Sequence, residues 1–90
     1  MAKAHVNPED MRRFARDLKR FSTELQDLMS SLHARMLNLE KNWRDQEQRK
    51  FAEEFDQTMK TLSRFFEASD KHVSFLMKKA GHIEDYLQQR

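Results

Sequence analysis

The chain has 90 residues, of which 38% are hydrophobic and 36% are charged, so it is long enough for one small domain only. It contains no Cys, one Gly and one Pro, which excludes disulfide-stapled folds and thiolate metal sites and leaves too few turn formers for an all-β fold. Its formal net charge of +2 is too small by itself to indicate nucleic-acid binding.

The first predicted element is a long helix over about residues 8–41. Asn7 stands at a capping position, Pro8 at the first helical position, and two acids follow where negative charge favours the positive end of the helix dipole. Apolar residues then recur in steps of three and four, which is the seam of a helix packed along another helix. They are Met11, Phe14, Leu18, Phe21, Leu25, Leu28 and Leu32, followed after a stutter by Met36, Leu39 and Trp43.

A polar stretch over residues 44–50 interrupts this pattern and predicts the tip of a hairpin. Asp45 and Gln48 have capping-box spacing, which places the turn at about 42–45 and a second helix at about 46–88. The apolar pattern resumes there in a different heptad frame. Its members are Phe51, Phe55, Met59, Leu62, Phe66, Ser69, Val73, Leu76, Ala80, Ile83 and Leu87.

These elements predict an all-α fold, a single antiparallel helical-hairpin domain over residues 1–90. We expect residues 1–6 to be disordered, and we expect Gly81 to weaken the second helix so that residues 82–90 fray. The rival interpretation is one unbroken helix of about 80 residues in a parallel coiled coil, because no Pro or Gly lies between Glu9 and Ala80. The change of heptad frame across the polar gap favours the hairpin.

The side-chain inventory indicates no enzyme. The histidines lack the spacing of a zinc helix, the serines lack a nucleophile elbow, and paired acids lie beside bases at helical spacing, as on a solvated surface. We therefore predict no catalytic residues, no metal and no cofactor. No run of about 18 apolar residues is present to span a membrane, and no signal peptide is visible. We expect a cytoplasmic protein whose export, if any, follows a leaderless route.

A cluster of bases on the first helix is the strongest argument for a nucleic-acid partner. It consists of Arg12, Arg13, Arg16, Lys19 and Arg20. Acids interleave with these bases and no aromatic platform accompanies them. A nucleic-acid-binding hairpin is therefore the third interpretation.

Apolar side chains beside the seam predict a further helical partner. On the first helix these are Ala15, Met29 and Met36, and on the second they are Phe65, Ala68, His72, Phe75 and Tyr86. One partner helix cannot cover both the seam and this second stripe, and a lone two-helix hairpin buries little apolar surface. We predict that two hairpins pair into a four-helix bundle. The predicted interface residues are Met29, Met36, Phe65, Phe75 and Tyr86.

A helical hairpin of about a hundred residues with a lone Trp at its tip resembles the Trp-x-Gly family, the small ESAT-like substrates of type VII secretion. The resemblance is carried by the tip motif Trp43-Arg44-Asp45, by an aromatic residue eight positions later at Phe51, by the first helix from Asn7 and by the long second helix. It implies a homodimer, or a dimer with a paralogous hairpin, that is exported folded as a secreted effector or adaptor. A secretion ATPase is a further partner that the resemblance implies.

The chain departs from the family pattern at two positions. Asp45 stands where the motif has Gly, and Arg90 stands four residues after Tyr86, where the export signal Tyr-x-x-x-Asp/Glu has an acid. Export would then depend on a partner that carries the signal, and an intracellular coiled-coil adaptor or structural subunit is the second interpretation. Trp43 is expected first to pack across the hairpin tip, with recognition by a partner as the alternative role.

Overall fold

The computed structural model describes residues 6–88 and consists of two long helices joined by a short turn. Helix α1 spans Pro8–Leu39 and helix α2 spans Gln46–Gln88. The two helices pack along each other in a body of 69 × 23 × 18 Å. The predicted all-α hairpin is confirmed, and the single unbroken helix is excluded.

Helix α1 begins as its sequence predicts. The Asn7 side-chain oxygen accepts a hydrogen bond of 2.8 Å from the Glu9 amide, and Pro8 occupies the first turn. The helix ends at Leu39, two residues before the predicted boundary. There the Arg44 side chain reaches back and donates a hydrogen bond of 3.3 Å to the carbonyl of Glu40, which satisfies one of the unpaired acceptors at the helix end.

Helix α2 also begins at its predicted cap. The Asp45 carboxylate accepts a hydrogen bond of 2.9 Å from the Gln48 amide, and the helix starts at Gln46. It continues through Gly81 to Gln88, so the glycine does not end it. Residues 82–88 of the segment expected to fray are helical. Residues 1–5 of the segment expected to be disordered, and residues 89–90, lie outside the described part of the chain.

The seam between the helices is lined at its centre by small side chains. Ala15 and Ala80 are fully buried, and Ser22 and Ser69 are nearly so. The predicted α1 seam is wrong at five positions, because Phe14, Phe21, Leu28, Leu32 and Leu39 are exposed instead. Small residues at the adjoining heptad positions let the two backbones approach closely, whereas phenylalanines there would hold the helices apart. The predicted α2 seam is confirmed over most of its length, but Phe51 and Leu87 are also exposed.

The two buried serines satisfy each other. The Ser22 and Ser69 hydroxyl oxygens lie 2.7 Å apart, and either hydroxyl can donate. Among the described residues, every buried side-chain nitrogen or oxygen has a hydrogen-bond partner. The two serines form a polar layer within a largely apolar contact, and the other buried polar residue of the described chain is Gln48, in the first turn of α2.

Candidate interaction surface

One side of the hairpin carries large apolar side chains that the hairpin does not cover. On α1, Phe14, Phe21 and Leu28 are 59%, 54% and 66% exposed, and their seven-residue spacing places them in one line along the helix. The Phe21 ring meets the exposed Phe65 ring of α2 edge to face, with centroids 6.0 Å apart. This contact places the exposed side chains of α1 and Phe65 of α2 on the same side of the hairpin. We call the surface formed by Phe14, Phe21, Leu28 and Phe65 the apolar flank.

The opposite side of the seam is ionic. The Arg12 guanidinium donates hydrogen bonds of 2.8 and 2.5 Å to the Glu84 carboxylate, and another of 2.9 Å to Glu9. Seven residues further along α1, the Lys19 ammonium lies 3.6 Å from the Asp70 carboxylate. The helical positions of Arg12 and Lys19 place them across the seam from the apolar flank. We call the surface formed by these two cross-helix ion pairs the ionic flank.

The Arg12–Glu84 pair shifts the titration of both partners. Hydrogen bonds from Arg12 hold the pKa of the Glu84 carboxyl below its ordinary value. The same hydrogen bonds, together with the one to Glu9, raise the pKa of the Arg12 guanidinium. The pair joins the first turns of α1 to the last turns of α2, so it closes the open end of the hairpin. Both side chains are partly exposed, and water screens their attraction.

Aromatic rings line the tip of the hairpin. The half-buried Trp43 ring lies 5.8 Å from the Phe51 ring, centroid to centroid, and Phe51 stacks at 6.0 Å on Phe55 one turn later. No residue in the described part of the chain has a positive φ, so the turn does not require glycine at Asp45. The Asp45 carboxylate instead caps α2, a role that glycine cannot perform.

The predicted interface residues lie in three different places. Met36 is 7% exposed and Met29 is half-buried, and both lie in the seam between α1 and α2. For Met36 this corrects the outer interface in favour of the seam position that the sequence pattern also gives it, because the hairpin's own second helix covers it. The second helix covers Met29 only in part. Phe65 belongs to the apolar flank, whereas Phe75 and Tyr86 are exposed on the outer surface of α2, with Tyr86 beside an apolar groove at the open end.

The predicted basic surface is largely neutralised by neighbouring acids. Its ion pairs are Arg12 with Glu9 and Glu84, Arg13 with Asp10, Lys19 with Asp70, and Arg20 with Asp17. Of the five predicted bases, Arg16 is outside these pairs. The arrangement therefore gives little support to phosphate binding along α1.

The described residues meet the requirements of neither a metal site nor a membrane span. Nowhere between residues 6 and 88 do three or more His, Cys, Asp or Glu side chains cluster closely enough to hold a metal ion. Neither described helix combines the length and apolar character needed to cross a bilayer.

Phe14, Phe21 and Leu28 are the residues of the apolar flank that the sequence pattern assigns to the seam. The sequence contains a signal for their exposure. Ala15, Ser22 and Met29 form a second heptad line on α1, and this line combines with the same neighbouring seam residues as the first line does. Both lines have the period of a helix seam. Two such lines on one helix indicate two partner surfaces, of which the intrachain partner takes the line with the smaller side chains.

The hairpin is similar in fold to solved structures of a secreted bacterial protein. It resembles the crystal structure of wild-type EsxB, a secreted protein of Bacillus anthracis, with a TM-score of 0.80 and 26% identity over 91% of this chain and 88% of that chain. The selenomethionine-labelled EsxB gives a TM-score of 0.81 and 24% identity over 96% and 98% of the two chains. No curated protein matches the chain. A family model described as "Proteins of 100 residues with WXG" matches residues 3–88, and the chain therefore belongs to this family, WXG100.

Proposed function

We propose that this WXG100 protein is a non-enzymatic interaction protein that dimerises and is exported by a type VII secretion system as an effector or adaptor. Family membership over nearly the whole chain supports this proposal, as does its similarity to a secreted protein. The export route is the one that the family resemblance implies. The surface of the hairpin indicates what kind of partner it binds.

The exposed apolar flank is the observation that carries the proposal. The chain exposes 7684 Å² of surface, whereas a compact monomer of its 10.9 kDa exposes about 5,600 Å². A stable protein interface covers about 800 Å² on each partner. The excess surface is therefore ample for one further interface, and the apolar flank supplies its hydrophobic centre.

A second copy of the chain fits this flank by position. Phe21 lies 18 residues before the end of α1, and Phe65 lies 19 residues after the start of α2, so both are about 27–29 Å from the turn at 1.5 Å per residue. That is close to the middle of the 69 Å hairpin. A two-fold axis at this point pairs the flank with itself in an antiparallel dimer. Phe14 then meets Leu28 of the second copy, because both are seven residues from Phe21.

The charge distribution along α2 favours the same antiparallel orientation. Residues 47–56 carry four acids and two bases, whereas residues 71–83 carry three lysines and no acid. An antiparallel pair brings the acidic part of each α2 level with the basic part of the other, and a parallel pair would bring like charges together. A paralogous hairpin with the same apolar flank is the other partner that this surface accommodates.

Export is tested by expressing the chain in a bacterium that has a type VII system, with and without its secretion ATPase. We expect the native chain in the culture medium only when the ATPase is present. Because Arg90 replaces the acid of the export signal, the test is repeated with a co-expressed WXG100 partner that carries Tyr-x-x-x-Asp/Glu. A chain that stays inside the cell in every combination would contradict export and favour the intracellular adaptor.

A further inference from the structure

The hydrogen bond between Ser22 and Ser69 lies at the centre of the seam. Their hydroxyl oxygens are 2.7 Å apart, and the two residues are only 5% and 1% exposed. The seam positions one heptad away on each helix hold apolar side chains, such as Ala15 before Ser22 and Leu62 before Ser69. The polar layer is therefore isolated, and each hydroxyl depends on the other for its hydrogen bond.

A seam with a heptad repeat has neighbouring registers of similar geometry. If α2 slides by seven residues, apolar side chains again meet in the seam, but Ser22 faces Leu62 and Ser69 faces Ala15. Both buried hydroxyls are then unpaired, and each unpaired hydroxyl lowers the population of that register by roughly tenfold to a hundredfold. We infer that the Ser22–Ser69 hydrogen bond is the register lock of the hairpin, which selects one alignment of α1 and α2.

The lock also positions the apolar flank. Phe21 precedes Ser22 in the chain, and Phe65 lies one turn before Ser69, so the register that pairs the hydroxyls also brings these two rings into edge contact. A slip of seven residues would separate the rings by about 10 Å along the helix at 1.5 Å per residue. The serines are therefore positioning residues for the surface that we propose pairs with a second copy. The register inference itself does not depend on that dimer.

Introduced thiols report the register directly, because the chain has no cysteine of its own. Lys19 and Asp70 face each other across the ionic flank at 3.6 Å, so Lys19→Cys with Asp70→Cys reports the native register. Lys19→Cys with Ser63→Cys, or with Met77→Cys, reports a slip of seven residues in either direction. A short thiol-to-thiol cross-linker is applied, and the share of cross-linked product of monomer mass is measured for each pair.

The reporters are compared in the parent chain and in the double variant Ser22→Ala/Ser69→Ala. Alanine fits this layer, because Ala15 occupies the seam position one heptad earlier and is fully buried. We expect the slipped reporters to give little product in the parent chain and at least tenfold more in the double variant. An unchanged slipped share in the double variant would overturn the inference.

Single variants provide a second measurement. Ser22→Ala leaves the hydroxyl of Ser69 buried without a partner, and the reverse holds for Ser69→Ala. We expect each single variant to lower the folding equilibrium constant by roughly tenfold, and the double variant to lose much less than the product of both losses. Independent, multiplicative losses would contradict a shared hydrogen bond. The cross-linking reporters measure the register within one chain and do not require a dimer. A chain in the native register that forms no dimer would therefore refute the proposed pairing, but not the register inference.

Discussion

Replacing Phe21 by alanine tests the proposed dimer at the centre of the apolar flank. Phe21 is 54% exposed in the hairpin, and an aromatic side chain has roughly 200 Å² to bury, so pairing covers about 100 Å² of it in each copy. At about 25 cal/mol per Å² this contributes about 2.5 kcal/mol per copy and about 5 kcal/mol per dimer. If the dimer covers only half of that area, the contribution is about 2.5 kcal/mol, and Phe21→Ala raises the dimer Kd by about sixtyfold, since 1.4 kcal/mol is tenfold.

The dissociation constant is measured by sedimentation equilibrium over a dilution series, with circular dichroism to confirm that the variant is helical. Met77→Ala is the matched control, because Met77 is also exposed and apolar but shares its helix face with Asp70, on the ionic flank. We expect Met77→Ala to leave the dimer Kd within about twofold of the parent value. Equal Kd values for the parent chain and both variants, or a monomeric parent chain at high micromolar concentration, would refute the assignment of the flank.

Substitutions at three further positions test the ends of the hairpin. Asp45→Ala should lower the free energy of unfolding by about 1 kcal/mol in a denaturant titration, whereas Asp45→Gly, which restores the family motif, should lower it by only a few tenths and should not raise it. Because its pKa is lowered in the folded chain, Glu84 contributes stability above its unfolded pKa of about 4.3 that is lost as the pH falls through the folded pKa. Amide protection at the end of α2 should fall over that range, and Glu84→Gln should abolish the dependence. Trp43→Ala should lower the free energy of unfolding by about 1 kcal/mol through its contact with Phe51, and loss of export with an unchanged melt would instead indicate recognition of the indole.

The helix starts were predictable because caps are local. Asn7 and Asp45 each accept a hydrogen bond from an amide two or three residues later, so the capping residue and its partner are visible within one short window of sequence. The extension of α2 past Gly81 was less predictable. A Cβ at Gly81 would meet nothing within 4 Å, so neither close packing nor a positive φ requires glycine there. The cross-helix contact at Glu84 holds the following residues in place, and no local pattern reports such a contact.

The face of α1 that packs inward was not predictable from hydrophobicity alone. Phe14 and Phe21 are more hydrophobic than Ala15 and Ser22, and a ranking by side chain assigns them to the seam. Close approach of two backbones reverses that ranking, because dispersion contacts between the helices depend on short distances. The apolar flank was missed for the same reason. The sequence pattern puts Met36 in both the seam and the outer stripe, and the structure selects the seam.

The separation of the two flanks means that salt acts on them with opposite sign. Added electrolyte screens the partly exposed pair Arg12–Glu84 and the exposed pair Lys19–Asp70, so it loosens the open end. A strongly excluded salt such as ammonium sulfate also favours burial of apolar surface, so it tightens the proposed contact across Phe21. A titration with sodium chloride, followed by one with sulfate at equal ionic strength, therefore separates the two contributions without any mutation. A buffer with enough excluded salt to keep the proposed dimer assembled is therefore also one in which the last turns of α2 unwind most readily.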